Sequence, residues 1–270
     1  MNYFLHKDFL ISEKNRVRVH RYFQNIKTVT TDVFIKNKNY KAIVDIESFL
    51  HLTNFDCFNC LTNCCVQFPY EFNKKAREVI LKNIKEYDNL TKAISILKAE
   101  GLMESEIISS IKTDKMLIPE EHINSTFDRC TCSCVHIDRH LCAIHKICID
   151  NNFTLEEIID TKPLWCSIYP LEIIQNEDIL YIFVPTEKNS YLAMNDSDFP
   201  CMDIEKSKSP YFRRENPIGF KLEDYRPFII SYYSILKYIF GEDFLNCIIK
   251  ELELKNTELK EFQYIQKIKG

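Results

Sequence analysis

Glycine is scarce in this chain, with 4 residues in 270. Neither a G-x-G-x-x-G nor a Walker pattern occurs, so the sequence offers no glycine-rich loop for a nucleotide phosphate. The formal net charge is −4, and no long block of one sign stands out. There is consequently no electrostatic argument for binding nucleic acid. These absences argue against the classical nucleotide folds and against a nucleic-acid partner.

Long hydrophobic runs are missing as well. The N-terminal residues carry no basic stretch followed by a long apolar run, so they do not have the form of a signal peptide. The longest apolar-rich run, residues 227–240, is shorter than the roughly 20 residues that cross a bilayer. We therefore expect a soluble, cytoplasmic protein with no membrane partner. Cysteine, by contrast, is abundant, and 12 cysteines in a reducing compartment are expected to be metal ligands or redox groups.

The secondary-structure pattern predicts an α+β fold, with a small β-hairpin-rich cysteine and metal core, packed helices and a helical C-terminal extension. We expect residues 1–220 to form the cysteine-rich metal-binding domain and residues 221–270 to form the extension packed on it. Alternation and turn signals predict strands at 17–23, 31–35 and 40–46, and a hairpin in which residues 165–174 lead into a strand, 176–178 turn and 179–184 return. Residues 189–214 are predicted to be loop. Helical spacing predicts helices at 72–89, 91–100, 103–111, 153–159, 228–240 and 244–254.

Two groups of cysteines dominate the sequence. The first has the spacing C-x2-C-x3-C-C and consists of Cys57, Cys60, Cys64 and Cys65. The second comprises Cys130, Cys132, Cys134, Cys142, His145, Cys148 and Cys166. Thiolates are soft ligands that suit zinc or iron, and the two sulfurs of a C-x2-C turn can reach one ion together. We expect the two groups to meet in space and to hold metal.

The number of metal centres is left open by Cys64 and Cys65. Neighbouring side chains diverge, so both thiolates reaching one ion is sterically awkward. Either each binds a separate metal or part of a cluster, or one is a ligand and the other a buried or reactive thiol.

The second group can complete one or two such centres. A tetrahedral zinc site takes four nitrogen or sulfur ligands, and a [4Fe–4S] cluster usually takes four thiolates. His145 is a better candidate than His136 or His140, because it lies three residues from Cys142. Cys148 and Cys247 are expected to be core residues.

Together with a closing Lys162-Pro163-x2-Cys166-Ser-Ile-Tyr-Pro-Leu171, these motifs resemble the bacterial CxxCxxxCC family, the YkgJ-type group of zinc- or iron-chelating proteins. The resemblance covers about residues 57–174. Extra thiols at Cys130 and Cys132 leave open which residue of that stretch corresponds to the family cysteine. The resemblance implies as metal ligands Cys57, Cys60, Cys64, Cys65, Cys134, Cys142, Cys166 and Cys201, and spacing adds His145.

Three functions are compatible with this ligand set. The first is a metal-binding protein that holds zinc or an iron–sulfur cluster. The second is suggested by a similarity to the flagellin lysine N-methylases, which have a similar cysteine frame and a closing C-x-x-Y-P step. That similarity implies an iron–sulfur-dependent enzyme that uses S-adenosylmethionine to methylate a protein substrate, although Leu171 stands where those enzymes usually carry arginine. The third is a structural or interaction module in which zinc cross-links a small domain.

Overall fold

The computed structural model describes residues 1–4, 6–56, 72–113, 142–194, 199–215 and 219–252. Its strands are β1 (Asn2–Tyr3), β2 (His6–Leu10), β3 (Thr28–Ile35), β4 (Lys38–Asp45), β5 (Leu52–Thr53), β6 (Glu172–Asn176), β7 (Ile179–Phe183) and β8 (Arg226–Pro227). Its α-helices before residue 170 are α1 (Glu13–Gln24), α2 (Lys74–Lys82), α3 (Ile84–Thr91), α4 (Ala93–Ala99), α5 (Glu104–Thr113), α6 (Ala143–Asp150), α7 (Leu155–Thr161) and α8 (Leu164–Ile168). The C-terminal helices are α9 (Ile204–Lys208), α10 (Pro210–Glu215), α11 (Phe228–Ser231), α12 (Tyr233–Phe240) and α13 (Glu242–Glu251).

The chain forms two compact units. The sheet unit takes residues 1–55, 168–213 and 220 onwards, and the helical unit takes residues 56–167 and 214–219. Strands and helices are both present, so the predicted α+β class is confirmed. The predicted division into 1–220 and 221–270 stays a prediction, because compactness alone does not show which segment folds independently. Within the described ranges, no helix is both long enough and apolar enough to cross a membrane.

The sheet unit is built on six strands in the order β2-β1-β6-β7-β4-β3. Two hairpins in it, β3–β4 and β6–β7, were predicted from sequence and are confirmed. In the first, Lys36 and Asn37 both have positive φ, as the two-residue turns that suit twisted hairpins require. β4 and β7 run parallel and join the two hairpins into one sheet.

The strand predicted at residues 17–23 is wrong, because these residues belong to α1. The helix begins after Ser12, whose hydroxyl accepts a hydrogen bond from the backbone N–H of Asn15 at 3.4 Å. Val19 and Phe23 lie four residues apart on one helix face, and both are buried with Tyr181 of β7 in one apolar cluster. Alternation was misleading because Val17 is 51% exposed and takes no part in that face.

The segment at residues 189–214, predicted to be loop, instead contains α9 and most of α10, so this prediction was wrong. Asp203 begins α9 by accepting hydrogen bonds from the backbone N–H groups of Glu205 and Lys206. The helix predicted at 228–240 divides at Tyr232 into α11 and α12, and the helix predicted at 244–254 is present as α13, after Gly241 with φ +90°. Four aromatic side chains of this region, Tyr225, Phe228, Tyr232 and Phe240, are buried, whereas Tyr238 is 42% exposed.

The helical unit packs α2 to α7 around an apolar core. The predicted helices in this region are confirmed, although the one at 72–89 divides at Asn83 into α2 and α3. The helix predicted to end at Gly101 does so, and this residue has the positive φ typical of a C-cap. The largest fully buried side chains of this core are Tyr87, Ile80, Leu97, Ile107, Ile111 and Ile144.

Candidate metal centre

The predicted metal ligands divide between described and undescribed residues. The first cysteine group, with Cys130, Cys132 and Cys134, lies outside the described ranges. Cys142, His145, Cys166 and Cys201 lie inside them. The five described cysteines, which also include Cys148 and Cys247, form no disulfide.

Cys142 and His145 lie at the start of α6. Cys142 is the N-cap residue, and its carbonyl accepts a hydrogen bond from the backbone N–H of Lys146 at 3.0 Å. His145 is the third residue of α6, so both residues belong to the first turn of this helix. Both side chains are half-buried.

The surroundings of His145 keep its imidazole neutral. Burial, with a smaller contribution from the positive charge of Lys162, lowers the pKa of His145 to about 3. Neutral imidazole is the form that ligates metal ions. The lysine comes from the Lys162-Pro163 motif, so the closing motif influences an imidazole that belongs to the second cysteine group.

Cys148 is a core residue, as predicted. Its side chain is fully buried within the helical core. Burial raises the pKa of the Cys148 thiol to about 11, and the hydrogen bond with Thr161 only partly opposes this. The thiol therefore stays protonated and suits packing rather than metal binding.

Cys166 lies on α8 and is half-buried. Strand β6 begins only at Glu172, so Cys166 lies on a helix that precedes the sheet and not on the sheet itself. Ser167 ties α8 to the end of α7, since its hydroxyl donates to the carbonyl of Ile159 at 3.2 Å. A hydrogen bond from the residue next to Cys166 thus joins α8 to the preceding helix.

Asn73 joins the chain that follows the first cysteine group to the closing motif through hydrogen bonds. Its side-chain oxygen caps α2 by accepting from the backbone N–H of Ala76 at 2.8 Å. Its Nδ2 donates to the carbonyl of Asp160 at 2.9 Å and to that of Lys162 at 3.3 Å. The chain eight residues after Cys65 is therefore bound close to the residues that precede Cys166.

The described ligands do not complete a site by themselves. Among the described residues, no three side chains of His, Cys, Asp or Glu are placed together so that they could hold a metal ion. A tetrahedral centre that includes Cys142 and His145 would have to draw further ligands from the cysteines outside the described ranges. Cys201 is buried in the sheet unit, where its carbonyl accepts from the backbone N–H of Asn54 at 2.9 Å. Its predicted role as a ligand stays a prediction.

Comparison of the chain with protein-family models, with curated proteins and with solved structures finds no match. The resemblance to the CxxCxxxCC family therefore rests on the motifs alone and stays a prediction.

A second polar site, centred on Asp45, was missed by sequence reasoning. Asp45 ends β4 and is 2% exposed. Its Oδ2 accepts from the hydroxyl of Tyr22 at 2.6 Å and from Nδ2 of Asn189 at 3.4 Å, and its Oδ1 accepts from the backbone N–H of Ser48 at 3.2 Å. Val44 and Asp45 are both buried, so strand alternation does not mark this position. Tyr22 and Asn189 come from distant parts of the chain, which no local pattern could connect.

We expect Tyr22→Phe to lower the free energy of unfolding by about 1.5–3 kcal/mol near neutral pH, as for other hydrogen bonds to charged groups. Burial raises the pKa of Asp45, and the Tyr22 hydroxyl opposes this. Without the hydroxyl the folded-state pKa rises further. A raised carboxyl pKa makes the folded state bind more protons, so stability falls as pH rises from the unfolded-state pKa through the folded-state pKa.

The deficit of the Tyr22→Phe variant should therefore be small at acidic pH, below the unfolded-state pKa of Asp45, and largest above its folded-state pKa. Denaturant unfolding at a series of pH values measures it. Tyr191→Phe, which removes a hydroxyl from an exposed ring beside Tyr22, is the matched control and should show little effect. A deficit of constant size at every pH would show that Tyr22 does not act through the charge of Asp45.

Proposed function

We propose that this protein is a cytoplasmic metal-binding protein of the zinc- or iron-chelating type. The proposed ligands are Cys142, His145 and Cys166, with thiolates from the first cysteine group and Cys134. The observation that carries the proposal is the pairing of Cys142 and His145 at the start of α6, with the imidazole in its neutral, metal-binding form.

Two further features support convergence of the cysteine groups. Asn73, just after the first group, hydrogen-bonds to the carbonyl of Lys162, just before Cys166. The charge of Lys162 influences both His145 and Cys148 on α6. A nearby cation would also offset part of the negative charge that several thiolates bring to one metal.

The donor pair in α6 fits zinc more directly than an iron–sulfur cluster. Zinc sites commonly combine cysteine and histidine, whereas a [4Fe–4S] cluster usually takes four thiolates. A cluster built from the remaining cysteines, with His145 outside it, is the competing arrangement. When bound, zinc would supply a structural cross-link between the ligand segments, and a cluster would supply redox or enzymatic chemistry.

Metal analysis with an absorption spectrum, on full-length protein purified without oxygen, tests this proposal. We expect a colourless protein with about one zinc per chain. A brown protein that contains iron and sulfide would support metal binding but assign the cluster instead. Protein that retains neither metal, and does not take up Zn²⁺ or Fe²⁺ after reduction of its thiols, would overturn the proposal.

A further inference from the structure

The sheet unit contains a cavity of about 790 Å³, within the range of small-molecule sites. Its walls come from the end of α1, the end of β4 with the turn that follows, β5, and the segments on either side of residues 190–200. Of the predicted metal ligands, the four that the structure describes, Cys142, His145, Cys166 and Cys201, do not line it. The lining residues that matter for the argument are Tyr22, Asp45, Glu47, His51, Glu187 and Asp203.

The most buried charged group of this cavity is the carboxyl of Asp45. The described donors that hydrogen-bond to it, from Tyr22, Ser48 and Asn189, are all uncharged. Removing a carboxylate from water without a cation beside it is costly. A positively charged group that entered the cavity would supply the missing counter-charge.

The remaining charges of the cavity wall also favour a cation. Glu47 and Glu187 contribute exposed carboxylates, and Asp203 contributes a third beside α9. The wall holds two lysines, and Nζ of Lys27 donates to the carbonyl of Glu251 at 3.0 Å. Carboxylates therefore outnumber lysines.

Apolar side chains make up much of the rest of the wall. Leu50 and Leu52 line the cavity and are 41% and 39% exposed, so they present apolar surface to it. Methylene groups would pack on such a surface while a charged end reached the carboxylates. The other apolar residues of the wall are Ile26, Met202 and Ile204.

We propose that this cavity binds a small aliphatic amine, of the diamine and polyamine class, with one ammonium group at Asp45 and another at Glu47 or Glu187. The methylene chain lies against Leu50 and Leu52. This proposal does not depend on the proposed metal centre.

Isothermal titration of the full-length protein with spermidine and putrescine, at fixed ionic strength, tests the proposal. Butane-1,4-diol has the carbon chain of putrescine without its charges and serves as the ligand control. We expect saturable binding of the amines at one site per chain and no measurable binding of the diol. Equal binding of diol and putrescine would overturn the proposal, and so would the absence of binding by either amine.

Variants locate the site. Asp45→Asn should weaken spermidine binding about 30-fold or more, as for loss of one partner of a buried ion pair. Glu47→Gln alters an exposed residue, should leave the fold intact and should weaken binding about two- to fivefold. Glu177→Gln, on an exposed turn outside the cavity, is the matched control and should leave binding unchanged.

If Asp45→Asn does not fold, the double variant Glu47→Gln/Glu187→Gln provides the decisive measurement. Its expected loss is about tenfold, the combined effect of two exposed pairs. Binding that survives these changes at full strength would show that the amine binds elsewhere. Equal losses in Glu177→Gln and Glu47→Gln would assign the binding to general surface charge, and the proposal would be wrong.

Discussion

Replacing Cys142 and His145 together by alanine is expected to abolish stoichiometric metal binding and to destabilise the helical unit severely. The apparent binding free energy of a structural zinc site is about 10–16 kcal/mol, as large as the whole stability of a typical domain, about 5–15 kcal/mol. A site that loses two of four ligands cannot hold zinc at that affinity. Elemental analysis of the purified variant and urea unfolding followed by circular dichroism measure the two effects.

The matched control for this variant is Cys247→Ala. Cys247 is half-buried on α13, in the sheet unit. Its replacement by alanine is expected to leave the metal content unchanged. Cys166→Ala should lower metal content as the double variant does, because the proposed site includes ligands from α6 and α8. If both ligand variants keep their full metal content, these residues do not bind metal. If stability falls while the metal content is unchanged, Cys142, His145 and Cys166 contribute packing only.

A second large effect is expected in the sheet unit, where Phe228→Ala should lower the free energy of unfolding by about 3–5 kcal/mol. The Phe228 side chain is fully buried. Its ring stacks on that of Tyr232 with 4.6 Å between centroids and meets the edge of Phe49 at 5.5 Å. Truncation would remove both aromatic contacts and leave a cavity, since neighbouring helices and strands can only partly collapse into it.

Phe34→Ala is the matched control for this substitution, because it removes the same side chain from an edge strand where Phe34 is 60% exposed. We expect a loss below about 1 kcal/mol for it. Equilibrium denaturation with urea, followed by tyrosine and tryptophan fluorescence, compares the two. A loss below about 1 kcal/mol for Phe228→Ala would mean that the C-terminal helices contribute little to the stability of the sheet unit.

The elements that the sequence predicts well are those specified by neighbouring residues. The β3–β4 hairpin follows from two alternating segments around a short polar turn, and the end of α4 follows from Gly101. The assignment of residues 17–23 failed for a local reason too. Val17 and Val19 suggest a strand, but Ser12 caps a helix whose buried residues, Val19 and Phe23, are four apart. In so short a segment, the apolar residues fit both the two-residue period of a strand and the longer period of a helix. Packing against β7 favours the helix.

The candidate sites were predictable only where their residues recur at short spacing. Cys142 and His145 lie within one helical turn, so the sequence could pair them. The link from Asn73 to Lys162 spans most of the helical unit, and an asparagine in a polar segment gives no sign of it. The same is true of the contact between Asp45 and Asn189, which depends on how the completed sheet positions the segment after β7.

The parallel pairing of β4 with β7 has a consequence for the order of folding. β4 belongs to the chain before residues 56–167, the main segment of the helical unit, and β7 to the chain after them, so this segment is an insertion within the sheet unit. On a ribosome, the β3–β4 hairpin emerges first and has to remain without its parallel neighbour until the whole insertion has been made. Strand pairings between distant parts of the chain form late, because the entropy cost of closing the loop precedes any stabilisation by the contacts. The helical unit can therefore acquire its core, and any metal, before the sheet is complete.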